Sequence, residues 1–162
     1  MQVTLELFIC AHDRGFRVCF QKQNLDISQS IRDPDQALKN YLDHMGFPSG
    51  PDKACAHSTS WRYHEQGIVL TYIVWTNKEA ISLTAREYLD LDGSTLPDSQ
   101  GPFRPRPARI EEKDVLVHGL RHLSHLIRNK DPFVTQAAQK TGTVQFFYTL
   151  TPALAGQYRR AS

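Results

Sequence analysis

Asp33-Pro34-Asp35-Gln36-Ala37-Leu38-Lys39-Asn40-Tyr41-Leu42-Asp43-His44-Met45-Gly46-Phe47 reads as one short helix set between two pairs of strands. Asp33 is placed to cap it, Pro34 suits the first helical position, and Gln36 has the spacing of a capping box. Gly46 supplies a left-handed stop. Leu38, Tyr41, Leu42 and Met45 recur at i, i+3, i+4 and i+7, which predicts one apolar face against a sheet. Asn40, Asp43 and His44 fall on the opposite side.

Working outward, residues 5–10 and 16–21 are rich in apolar, β-branched and aromatic side chains. His12-Asp13-Arg14-Gly15 between them is a turn signal, so a hairpin is expected. Residues 23–32 are polar and read as a loop leading to the helix. After the turn-rich Pro48-Ser49-Gly50-Pro51-Asp52, residues 56–63 and 67–75 form a second expected hairpin. Its second arm, Ile68-Val69-Leu70-Thr71-Tyr72-Ile73-Val74-Trp75, is almost continuously apolar, as in a central strand covered on both faces.

Residues 92–107 hold four prolines and two glycines and predict a surface loop or flap. A long helix is expected over 111–129, with Leu116, Leu120, Leu123 and Ile127 on one stripe. Asp131-Pro132 opens a shorter helix that Gly142 ends. Residues 144–150 fit either a strand or a helix, and 156–162 read as a frayed tail. The pattern is that of a single α/β (α+β) domain spanning 1–162, a mixed sheet sandwiched between helices.

The composition agrees. The 162 residues are 40% hydrophobic and 22% charged, enough to bury a real core. A net charge of +2 with a pI near 8.5, and no basic run, gives little pull toward nucleic acid or anionic membrane. Residues 68–75 are the longest apolar-rich run, too short to cross a bilayer. The first residues lack the basic and apolar regions of a secretory signal. Cys10, Cys19 and Cys55 have no paired spacing, which predicts reduced thiols and a cytoplasmic setting.

Three groups of side chains carry candidate chemistry. His118, His122 and His125 sit one turn apart on the long helix. With Leu116 at 0°, they fall at about 180–240°, which predicts a solvent-facing stripe that is a polar surface face, a partner face or a metal site. Cys10-Ala11-His12 and Cys55-Ala56-His57 repeat one tripeptide, a Cys₂His₂ set if their strands were neighbours. Trp61, Tyr63 and Trp75 have equal parity in the second hairpin and either pack in the core or line one wall of a pocket for a flat ligand such as a nucleotide, with Arg62 or His64 at its rim.

The order hairpin, helix, hairpin, loop, C-terminal helix resembles the Nudix superfamily, in which glutamates at helical spacing gather Mg²⁺. The family's box runs G-x5-E-x7-R-E-U-x-E-E-x-G-U, with U a bulky aliphatic residue. With Gly46-Phe47 as its closing pair, Lys39 takes the arginine's place and Asn40 that of the next glutamate. Asp43 and His44 replace the paired glutamates, while Ile31 and Leu25 stand where the opening glutamate and glycine would be. The resemblance implies a Nudix-like fold over residues 3–76. The altered box offers one carboxylate where a hard ion wants several. The expectation is a non-catalytic ligand- or partner-binding module without a cofactor, its partner a small ligand, another protein or a second copy. One alternative is a divergent hydrolase of a nucleoside-diphosphate-linked substrate, with Asp43 joined by Glu79, Glu87, Asp90 or Asp92; Mg²⁺ belongs only to that reading. Another is a structural subunit of a larger assembly.

Overall fold

A computed structural model describes residues 1–29, 33–47, 55–65, 67–91 and 109–154. The strands are β1 (Gln2–Arg14), β2 (Arg17–Asp26), β3 (Cys55–His64), β4 (Gly67–Trp75) and β5 (Glu87–Asp90). The helices are α1 (Pro34–His44), α2 (Glu112–Arg128), α3 (Pro132–Lys140) and α4 (Val144–Thr149). One sheet runs β3-β4-β1-β2-β5, with β1 and β4 parallel and the other neighbours antiparallel. The chain is a single α+β domain: α1 covers one sheet face, and α2, α3 and α4 cover the other. The expected loop 92–107 and tail 156–162 lie outside the described residues.

Side chains alternate along β1, the middle strand. Leu5, Leu7, Ile9 and Ala11 enter the core beneath α1, and Phe8 and Cys10 enter the core beneath α2. β4 does the same, with Tyr72 and Val74 toward α1 and Ile73 and Trp75 toward α2. This double burial is why residues 68–75 read as a continuous apolar run.

Asp33 accepts the N–H groups of Asp35 and Gln36 at 2.9 and 3.4 Å, capping α1 behind Pro34. Gln36 does not close a capping box; its amide donates to Asn40 Oδ1 at 2.8 Å. Leu38 and Leu42 are buried, but Met45 is exposed. Gly46, at φ +74°, reverses the chain and delivers Phe47 to the core in the place expected for Met45.

β2 runs to Asp26, through residues expected to be a loop, because Leu25 pairs with Leu5 and Asn24 with Glu6. Polar residues there face an open part of the sheet. β5, four residues pairing with β2 between Phe20 and Arg17, had no apolar run to announce it. Residues 144–149 are helical and bury Phe146 and Phe147 against Trp75. No helix among the described residues is long and apolar enough to cross a membrane.

Candidate functional site

α2 does not cover all of its sheet face. At the end where β1 begins and β3 turns into β4, Gln2, Thr4, Glu6, Lys22, Asn24 and Arg62 line a groove of about 420 Å³, with His64 and Glu65 at its rim. That volume is within the range of small-ligand sites. Gly67 lets β1 and β4 close tightly there: an added Cβ would meet the Gln2 carbonyl at 2.5 Å. A second cavity of about 200 Å³, between Val117, Leu120, Arg121 and Leu150, is smaller than such sites usually are.

The floor of the groove is a buried carboxylate. Glu6 is 4% exposed and sits on the central strand between Leu5 and Leu7. The Arg62 guanidinium grips it with a two-pronged pair of hydrogen bonds, both 2.8 Å. Thr71 donates to Glu6 at 2.9 Å, and Lys22 Nζ stands 3.2 Å away. Burial works to raise the Glu6 pKa. The hydrogen bonds and charge of Arg62, with Thr71 and Lys22, outweigh it and hold the carboxyl below its ordinary value. Lys22 bridges outward to Glu112 at the first turn of α2, at 2.9 Å. Burial would lower its pKa, but Glu112 and Glu6 raise it. Lys22 is therefore charged at neutral pH, and its two carboxylate partners fix its direction as Glu6 fixes that of Arg62.

The three aromatic residues of the wall expected from the second hairpin do not share one face. Ser58 pairs with Tyr72 but Ser60 with Thr71, a β-bulge that shifts register by one residue. Beyond it, Trp61 lies opposite Leu70 and Tyr63 opposite Ile68, which turns both toward the α1 face. Trp75 stays on the α2 face. It is 1% exposed, stacked on Phe146, and donates its indole N–H to Thr141 and Thr143. Trp75 is thus a core residue. Trp61 and Tyr63 form an exposed edge-to-face pair with centroids 5.6 Å apart, and Arg62, between them in sequence, reaches the groove on the other face.

The histidine stripe does not face solvent as expected. His118 is 7% exposed and His122 and His125 are half-buried. Gly119 lets α2 sink onto the sheet, where an added Cβ would lie 2.6 Å from Ile73. The edge strand β3 then flanks the helix, and His57 stacks on His122 with centroids 5.4 Å apart. His122 in turn stacks on His125 at 6.3 Å. Stacked imidazoles aim their lone pairs in parallel planes, not at a shared ion. Among the described residues no three His, Cys, Asp or Glu side chains gather to hold a metal.

The Cys-Ala-His tripeptides are separated by a whole strand. Cys10 and Cys55 each pair with Trp75, from opposite sides of β4. On α1, Asn40, Asp43 and His44 are exposed, and Asp43 pairs with Lys39 at 2.9 Å. A single carboxylate already bound to lysine, beside an amide and an imidazole, does not fit Mg²⁺. Ile31 and Asp92 fall outside the described residues. Glu87 and Asp90 stand on β5, at the far edge of the sheet from β3 and β4.

Glu6, Lys22 and Thr71 were not anticipated as site residues. A signal existed, since Leu5-Glu6-Leu7-Phe8 places a carboxylate inside an apolar strand. Compared with known proteins, the chain matches no family model and no curated protein.

Proposed function

We propose that this chain is a non-catalytic binding module of Nudix-like shape that takes a small polar ligand into the groove above Glu6. The observation that carries the reading is the charged floor of that groove. A buried ion pair adds little stability over well-packed apolar side chains, so its place on the central strand calls for another use. Here it holds two cationic side chains still beside an open cavity of about 420 Å³, the preorganisation a binding site needs. The hairpin-helix-hairpin order and the helices on both sheet faces support the Nudix-like shape. The altered α1 face supports the loss of metal-dependent hydrolysis. The free thiols of Cys10, Cys19 and Cys55 suit a cytoplasmic setting.

A thermal-shift screen with Mg²⁺ alone, nucleotides and other small polar molecules alone, and both together tests this reading. A groove ligand at one hundred times its Kd stabilises the native state by about 2.7 kcal/mol, or roughly 5–10 °C in Tm for a chain of this size. The expected result is a metal-independent shift that is lost in Arg62→Met. A shift that requires Mg²⁺ and vanishes in Asp43→Asn would overturn it in favour of the hydrolase.

A second reading, a module that docks a protein, is favoured by Trp61 and Tyr63. They are 61% and 66% exposed on the edge strand β3, and exposed aromatic pairs are common anchors of interfaces. Loss of a partner in Trp61→Ala with the groove ligand still bound would favour it.

A further inference from the structure

We infer that the groove is an anion site, in which Lys22 and Arg62 together hold the carboxylate or phosphate group of a small ligand. The inference rests on the reading of the groove as a binding site and names its ligand class. By formal count the floor is nearly balanced, but the charges are layered. The Glu6 side chain is 5% exposed and lies beneath, while Lys22 and Arg62 are 25% and 26% exposed. A molecule entering the groove meets an ammonium and a guanidinium, not the carboxylate that positions them.

Both cations keep donor capacity. Arg62 spends three of its five N–H donors on described residues, two on Glu6 and one on Thr71. The Lys22 ammonium, which also sits 5.7 Å from the Phe8 ring centroid, contacts Glu6 and Glu112. Its pairing with Glu112 is the weak one. The Glu112 side chain is 48% exposed on the first turn of α2, and an exposed ion pair contributes little. Glu112 therefore occupies the position an incoming anion would take, and the anion would displace it. Asn24, Thr4 and Gln2 on the same wall offer neutral hydrogen bonds to the rest of the ligand.

The test follows backbone amide NMR signals of Thr4, Glu6, Asn24 and Val69 during titration with inorganic phosphate, acetate, glycerol and choline. Phosphate or acetate is expected to shift these signals saturably. Lys22→Gln should weaken binding about tenfold, as for loss of one charge-assisted contact. Glu112→Gln should tighten it by a factor of about three or more, because the competing carboxylate is gone. Glu112 is exposed and Lys22 half-buried, and Arg62 and Thr71 still hold Glu6 in Lys22→Gln, so both variants are expected to fold, which circular dichroism checks. Response to glycerol or choline alone would overturn the anion assignment and leave the groove a binding site. No response to any probe would overturn both readings. Anion binding of equal strength in Lys22→Gln and wild type would also overturn the assignment. Cosedimentation with phosphatidic acid vesicles, lost in Lys22→Gln, would assign the anion to a lipid headgroup. Phosphate binding without cosedimentation would assign it to a free molecule.

Discussion

Replacing Arg62 with methionine removes the main partner of the Glu6 carboxylate while keeping most of the side-chain volume. Breaking a buried ion pair from one side costs about 3–5 kcal/mol, because the other charge is left buried and uncompensated. Two features of the groove reduce that figure. Lys22 stays 3.2 Å from Glu6 and Thr71 still donates at 2.9 Å. Arg62 is also 26% exposed, so part of its attraction is already screened by water. The expected loss is therefore about 2–3 kcal/mol. Urea unfolding followed by circular dichroism and by fluorescence of the buried Trp75 measures it. With a slope of about 1–3 kcal/mol per molar urea, the midpoint should fall by roughly 0.7–3 M. Adding Glu6→Leu should restore stability to within about 1 kcal/mol of wild type, since the apolar pair leaves no buried charge. A loss below about 0.5 kcal/mol in Arg62→Met, or no recovery in the double variant, would refute the claim that Glu6 is a buried charge held by Arg62.

Leu42→Ala should cost about 2–5 kcal/mol as a large-to-small change under α1, measured by the same urea titration; a cost under about 1 kcal/mol would mean that α1 is not docked on the sheet. Gly119→Ala sets a helix-propensity gain of about 1 kcal/mol against overpacking on Ile73, typically about 1–3 kcal/mol. Because Ile73 is fully buried, a net loss is expected, and a gain would show that α2 sits further from β4. His57, His118 and His122 all have pKa values lowered, chiefly by burial, with neighbouring His and Arg charges adding at His118. The native state thus binds fewer protons than the unfolded chain, whose histidines titrate near 6.5. Stability should be full above that value and decline as pH falls below it, and His122→Gln should flatten the profile of Tm between about pH 7 and 5. Asp131, near His57, opposes the effect without reversing it. Glu6 has the same sign at lower pH, since its depressed pKa loses stability only as pH falls below about 4.5 and through its folded value. The two windows therefore separate.

How much of this was legible from residues alone depends on whether the signal was local. The cap at Asp33, the stop at Gly46 and the apolar run of β4 are local chemistry, and each element stands where the pattern placed it. The aromatic wall failed through one residue: the bulge at Ser58/Ser60 reverses which face Trp61 and Tyr63 share with Trp75, and no composition rule announces a bulge there. The histidine stripe failed because a helical wheel allows one buried side. α2 has a second one, created when Gly119 lets it settle beside β3. The groove combines Glu6 on β1, Lys22 on β2, Arg62 on β3 and Thr71 on β4. Only the sheet order brings them together, so the odd carboxylate in β1 was visible and its partners were not.

Soaking crystals of the protein with a library of small polar fragments tests the binding-module account most directly. The account predicts that fragment density gathers over Lys22 and Arg62 in the groove above Glu6, with acidic fragments the most frequent. Density gathered elsewhere, over Trp61 and Tyr63 or on the Asn40, Asp43 and His44 face of α1, with none in the groove, would contradict it.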